Sequence, residues 1–109
     1  MVPAEPVALV VIVTVPDEQT AVKLAEALLE HRAAACVHIL PAGRSMYRWK
    51  GKLESASEST LLIKSSTSRF AELEQLIRRL HPYEVPEVIG IPIAESSAPY
   101  LNWILDESR

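Results

Sequence analysis

The sequence predicts an α+β fold whose elements follow one another in the order β-α-β-β-α-β-α. Three observations lead to this prediction: a β-branched apolar run at its start, two segments with apolar residues at helical spacing, and three further strand-like runs. The chain has 109 residues, of which 49% are hydrophobic. This length and composition predict one domain over 1–109, with residues 1–6 as an N-terminal tail.

The first strand is predicted over Val7–Val15, where nearly every residue is apolar and Pro16 ends the run. Because both faces of this strand are apolar, we expect it to be covered on both sides. Asp17 stands at the N-cap position of the first helix, which runs to about Arg32. The apolar stripe of this helix consists of Val22, Ala25, Leu28 and Leu29.

The middle of the chain predicts a long hairpin with a kink. Cys36–Leu40 forms the second strand, which bends near Gly43 and resumes over Ser45–Glu54. Thr60–Lys64 forms the third strand, because its residues are mostly apolar and β-branched or leucine. The small polar residues of Glu54–Ser59 predict the turn between the two.

The last third of the chain predicts a helix, an edge strand and a short helix. Ser65–Ser68 supplies cap candidates for the second helix, which Pro82 ends. Val88–Ile93 predicts the fourth strand, and Pro92 favours an edge position for it. Ser96–Pro99 opens a short C-terminal helix. The stripe of the second helix consists of Phe70, Leu73, Leu76, Ile77 and Leu80.

This order is that of the ferredoxin-like βαββαβ sandwich, here with a long kinked β2–β3 hairpin and a short C-terminal helix. We expect the first and third strands to be central and parallel, with two helices covering one face. The second apolar face of the first strand is then left open. Five of the six aromatic residues lie outside the two main helices, which favours subunit contacts. We therefore predict an oligomer.

Composition excludes several classes of partner. Eleven basic residues against fourteen acidic ones give a net charge of −3, so we expect no nucleic-acid partner. The apolar N-terminal run lacks preceding Lys or Arg and is too short to span a bilayer, which predicts no signal peptide and no membrane association. A single cysteine, Cys36, fits a reducing compartment, and we predict a cytoplasmic protein.

Five motifs follow one another along the chain in the order AAACVHILP, SMYRWKGKLE, LLIKSS, HPYEVPEVIGIPI and YLNWI. These motifs resemble those of the divalent-cation tolerance proteins, the CutA family, and the resemblance covers residues 7–105. It implies a homotrimer of ferredoxin-like subunits in which the long hairpin wraps a neighbour. It also implies a link to copper and other divalent metals.

One pair of side chains in the sequence is suited to metal binding. Cys36 and His38 are two apart on a strand, so both side chains leave the same face, and copper prefers such ligands. A small thiol beside a structural imidazole is the alternative interpretation. The family's reported copper ligands imply a first-strand cysteine and two histidines before Pro-Tyr. Val13 and Leu80 occupy two of those positions here, and only His81 carries over. Our predicted metal residues are His81 and Cys36, for Cu(II) or another divalent cation.

A ligand cleft is the second hypothesis. Lys64 lies on an otherwise apolar face and needs a carboxylate or an anion, for which Glu84 is a candidate partner. Tyr47 and Trp49, with Tyr83, are suited to wall a cleft between subunits. The predicted cleft residues are therefore Lys64, Tyr47, Trp49 and Glu84, and a purely structural network at the interface is the alternative.

The predicted function is that of a trimeric divalent-cation tolerance protein, which binds or buffers divalent metal or senses a small ligand at intersubunit clefts. No phosphate loop, HExxH or GxSxG motif occurs, so we predict no enzyme and no required cofactor. Two alternatives stay open: a signalling trimer like the nitrogen-regulatory PII proteins, and a scaffold without ligand.

Overall fold

The computed structural model describes residues 5–109, so residues 1–4 of the predicted tail lie outside the described part. A short 3₁₀ turn, Thr67–Arg69, precedes the second helix. In chain order the elements are β1 (Ala8–Val15), α1 (Glu18–Glu30), β2 (Cys36–Ile39), β3 (Gly43–Trp49), β4 (Lys52–Ser66), α2 (Phe70–Leu80), β5 (Ile89–Pro92) and α3 (Ala98–Glu107).

The sheet has the strand order β2-β4-β1-β5, and all its pairs are antiparallel. The α+β ferredoxin-like fold is thereby confirmed, as is the edge position of β5. The expectation that the two central strands are parallel is wrong: Ala8 pairs with Ser66 and Val15 with Ser59, in antiparallel register. The reason is topological. After the crossover by α1, β2 runs parallel to β1, and β4 returns between them in the opposite direction.

The core lies between one face of the sheet and the helices α1 and α2. Alternate residues of β1 and β4 point into it, because successive strand side chains leave opposite faces. Asp17 caps α1 as predicted, since its carboxylate accepts a hydrogen bond from the Thr20 N–H at 2.7 Å. The predicted serine caps of α2 are wrong, because β4 continues to Ser66 and no side chain caps that helix. The fully buried members of the core include Val11, Val13, Leu28, Leu61, Ile63, Leu73 and Ile77.

The other face of the sheet is covered only at one end, and we call it the open face. There α3 packs Ile104 on Ala8 and Ala35, and the hydroxyls of Ser66 and Ser108 lie 2.6 Å apart. The uncovered apolar residues of the open face are Val10, Ile12 and Leu62, which are half-buried, and Ile89 and Ile91, which are 49% and 45% exposed. Within residues 5–109, none of the helices has the length and apolarity needed to cross a membrane.

A two-stranded arm, residues 43–58, projects from the sheet where β3 pairs with the first half of β4. Its turn lies at Lys50–Gly51, with φ of 50° and 80°, as in a two-residue type I′ hairpin. The turn predicted at Glu54–Ser59 is therefore wrong, since these residues continue β4. They are small and polar because most of them lie on a solvent-exposed arm. The kinked hairpin itself is confirmed, with the break at residues 40–42 between β2 and β3.

We expect Gly51→Ala to lower the free energy of unfolding by about 1–2 kcal/mol, because a Cβ is unfavourable at positive φ. No heavy atom lies within 4 Å of the added methyl group, so the cost is conformational. Gly43→Ala is the matched control, since its surroundings are equally open and its φ is not positive. In chemical unfolding, the free energy of unfolding of Gly43→Ala should equal or exceed that of the wild type. Equal stability of the two variants would contradict the turn at Lys50–Gly51.

Candidate ligand-binding cleft

A cleft lies between the arm, the end of β1 and the segment 82–87 that follows α2. Its volume is about 660 Å³, within the usual range for small-molecule sites. The arm supplies one wall and the segment after α2 supplies the other, so two parts of the chain far apart in sequence meet here. The lining residues are Thr14, Ser45, Met46, Tyr47, Trp49, Glu58, Pro82, Tyr83, Glu84, Val85 and Glu87.

Three of the four predicted cleft residues line this cleft, namely Tyr47, Trp49 and Glu84. Tyr47 and Trp49 share a face of β3, being two residues apart, and are 43% and 40% exposed. Lys64 lies elsewhere. It is paired with Val10 and Cys36 across the sheet and occupies the open face, near the end that α3 covers. A basic group beside the cleft is instead Lys50, whose Nζ is 4.0 Å from a carboxylate oxygen of Glu84.

A buried carboxylate forms the floor of the cleft. Glu58 is only 7% exposed, and its Oε2 accepts a hydrogen bond from the Tyr83 hydroxyl at 2.8 Å. Burial and the neighbouring Glu58 carboxylate together raise the pKa of Tyr83 to about 12. Sequence reasoning missed Glu58 because it was assigned to a turn. The available signal was the strand alternation, which places Glu58 opposite Gly43 once the turn is put at Gly51.

His81 fixes the segment that carries Tyr83 and Glu84. Its side chain is buried, at 7% exposure. The Nδ1 atom lies 3.1 Å from the Tyr83 N–H and accepts its hydrogen bond, which requires that Nε2 carry the proton and donate to the Thr14 carbonyl at 2.7 Å. The β1–β5 ladder ends at Ile12, and the His81 side chain bonds the Thr14 carbonyl two residues beyond that end. Both ring nitrogens are thereby engaged.

Cys36 and His81 are not brought together. Cys36 lies in register with Val10 on the open face, whereas His81 contacts Thr14, four residues further along β1, which is about 13 Å of strand. His38 is exposed on the same face as Cys36, because Val37 and Ile39 point into the core. In the part of the chain from 5 to 109, no three His, Cys, Asp or Glu side chains are placed to hold one ion. The residues of a single chain therefore do not fit a metal centre.

The described residues give the cleft a lining of aromatic faces, a thioether and three carboxylates, and none of those lining residues is a histidine, a cysteine or a basic residue. The two acidic residues of the segment after α2, Glu84 and Glu87, are exposed, whereas Glu58 is held inside. A ligand here meets flat apolar surfaces and an excess of negative charge.

Comparisons with known proteins place this geometry in a family. The family model described as "CutA1 divalent ion tolerance protein" matches residues 9–107. The "Divalent-cation tolerance protein CutA" of Thermus thermophilus is 44% identical over 99 residues, which are 91% of this chain and 96% of that protein. "Protein CutA" of Mus musculus is 45% identical over 92 residues, and the matched region is 84% of this chain but only 52% of the mouse protein.

A solved structure gives the same result for the fold. The "Divalent cation tolerance protein (Cut A1)" from Thermus thermophilus superimposes with a TM-score of 0.92 at 43% identity. The match covers 94% of this chain and 99% of that one. The similarity therefore extends through the arm and the segment after α2, which are the two walls of the cleft.

Proposed function

The chain belongs to the CutA1 divalent ion tolerance family, and from this premise and its own geometry we propose that it works as a homotrimer whose subunits bind a small ligand in the cleft beside the arm. In this proposal, the protein contributes to divalent-cation tolerance by binding this ligand. The cleft carries the proposal, because it gathers Tyr47, Trp49, Tyr83 and Glu84 around a buried Glu58.

The surface of the subunit supports a trimer. The radius of gyration is 14.8 Å, against about 13 Å for a compact chain of this length, since the arm projects beyond the sheet. An arm that packs on a neighbour gains the burial that it lacks in the isolated subunit. The open face likewise exposes Ile89 and Ile91 beside half-buried Ile12 and Leu62, an arrangement typical of interfaces.

The position of the cleft links the two parts of the proposal. Thr14, which lines the cleft, continues the row of side chains that Val10 and Ile12 begin on the open face. A second subunit packed on the open face therefore lies next to the cleft. This proximity supports a site at the subunit junction, where a ligand and the assembly influence each other.

Native mass spectrometry of the metal-free protein, combined with a thermal-shift screen of small molecules and divalent metals, tests the proposal. We expect a mass of three chains and a shift in melting temperature with at least one class of compound. Trp49→Leu should abolish that shift while Trp103→Leu, whose ring lies on α3 outside the cleft, should retain it. A silent screen on an intact trimer would favour the scaffold alternative.

Direct binding of copper or another divalent cation is the second candidate, and one observation favours it. The side chains of Cys36 and His38 both project from the open face. An assembly through this face would therefore bring thiolates and imidazoles from several subunits near one another. Titration with Cu(II), Zn(II) and Ni(II) under native mass spectrometry tests it: uptake by the wild type and loss in Cys36→Ser and His38→Ala are expected.

We propose a cytoplasmic location on the single cysteine alone.

A further inference from the structure

We propose that the cleft beside the arm is selective for an organic cation, a small molecule that carries an ammonium or guanidinium group on an apolar body. The inference rests on the proposed function, in that it takes this cleft to be the ligand site. The cationic group would lie between the Trp49 ring and the carboxylates of Glu58 and Glu84. The apolar body would lie along Met46 and Tyr47.

The charges of the cleft favour a cation. Three carboxylates line it, from Glu58, Glu84 and Glu87, and within residues 5–109 no lysine or arginine does. The nearby Lys50 offsets this charge only weakly, because its ion pair with Glu84 spans 4.0 Å between side chains that are 73% and 74% exposed. An anionic or neutral ligand would leave the carboxylates unbalanced as it displaced water from them.

The protein itself places an ammonium group at the rim of this site. Lys50 Nζ lies 5.7 Å from the centroid of the Trp49 ring and 4.0 Å from Glu84 Oε2. These distances are those of a cation–π contact and an ion pair made by one ammonium. Because Lys50 sits on the exposed turn of the arm, it can swing aside when a ligand ammonium takes this position.

Glu58 supplies an acceptor deeper in the cleft. The side chain is 93% buried, and its Oε2 already receives the Tyr83 hydroxyl. Among the described residues, no donor reaches its second oxygen, Oε1. No buried side-chain oxygen or nitrogen of the described residues lacks a partner, so Oε1 is open to water in the cleft, and an N–H of the ligand can take the place of that water. Ammonium and guanidinium groups form such charge-assisted hydrogen bonds.

The walls favour an organic cation over a metal ion. Calcium and magnesium take six or more oxygen ligands at short distance, whereas the described part of this chain holds no three acidic, histidine or cysteine side chains converging on a point. Aromatic rings and a thioether line much of the cleft instead, and its volume of about 660 Å³ far exceeds that of an ion. Such surfaces bind the hydrocarbon body of a ligand, and their aromatic faces attract its cationic group.

Three matched probes test the proposal: 2-phenylethylammonium, neutral 2-phenylethanol and anionic phenylacetate. The Trp103→Phe protein leaves Trp49 as the sole tryptophan, and its fluorescence reports occupancy of the cleft. We expect the ammonium probe to bind at least tenfold more tightly than the alcohol, and phenylacetate to bind weakest. Glu58→Gln and Glu84→Gln should each remove most of that preference. Glu95→Gln, exposed and outside the cleft, should keep it.

The outcomes separate this inference from the proposed function. Equal binding of all three probes, or tighter binding of phenylacetate, with quenching of Trp49, would overturn cation selectivity and leave a ligand-binding cleft. A preference unchanged in both Glu84→Gln and Glu58→Gln would also overturn it. The exposed Glu84 keeps the test decisive if Glu58→Gln does not fold. No quenching by any probe would overturn this inference, whereas the proposed function is overturned only by a silent thermal-shift screen.

Discussion

Leu62→Glu is expected to convert the proposed trimer into single chains. Leu62 lies in the middle of the open face, in register with Ile12 on one side and His38 on the other. A carboxylate buried there in every subunit costs several kcal/mol per charge. Since each 1.4 kcal/mol is tenfold in an equilibrium constant, association should weaken by about a thousandfold or more. Native mass spectrometry at micromolar concentration should record one chain in place of three.

Val22→Glu is the matched control for this change. Val22 is also apolar and 39% exposed, but it lies on α1, which covers the opposite face of the sheet. We expect it to leave the three-chain mass intact. Leu62 is outside the helix-covered core, so the circular dichroism of the Leu62→Glu monomer should retain its helical signal. An assembly that survives Leu62→Glu would exclude the open face as the interface.

Much of the fold was predictable because its determinants are local. The alternation of Val11 and Val13 with Val10 and Ile12 identified a strand with two apolar faces, and Asp17 marked the helix start correctly. The antiparallel direction of the two central strands was not predictable from the local sequence. It depends on where the hairpin inserts in the sheet. The turn was misplaced because Lys50 takes positive φ without being the Asn, Asp or Gly that usually signals it.

The candidate site was predictable in its aromatics and not in its polar contacts. Tyr47 and Trp49 were predicted as aromatic walls of a cleft and Glu84 as the carboxylate partner of Lys64, and all three line the cleft. Glu58 became identifiable only after the register of the arm was known. Within one chain Lys64 lies apart from this cleft, a separation that was not predictable because periodicity gives the face of a strand but not the position along it.

His81→Ala is expected to lower the free energy of unfolding by about 2–4 kcal/mol in a metal-free protein. The substitution removes a buried imidazole and leaves the Tyr83 N–H and the Thr14 carbonyl without partners, at about 1–3 kcal/mol each. Chemical unfolding with a chelator present, at one chain concentration, measures the effect. The concentration is held constant because the stability of an oligomer depends on it.

His38→Ala is the comparison, because this imidazole is exposed in the single chain and makes no side-chain hydrogen bond among the described residues, so its loss should cost less stability than the loss of His81. The comparison decides how copper titrations are interpreted. If His81→Ala is strongly destabilised, its loss of copper reports a disturbed cleft segment, and only loss in the stable His38→Ala variant identifies a ligand. If His81→Ala is as stable as the wild type under chelation, the hydrogen bonds to Thr14 and Tyr83 are dispensable. The imidazole is then free to bind metal, as its position in the family pattern implies.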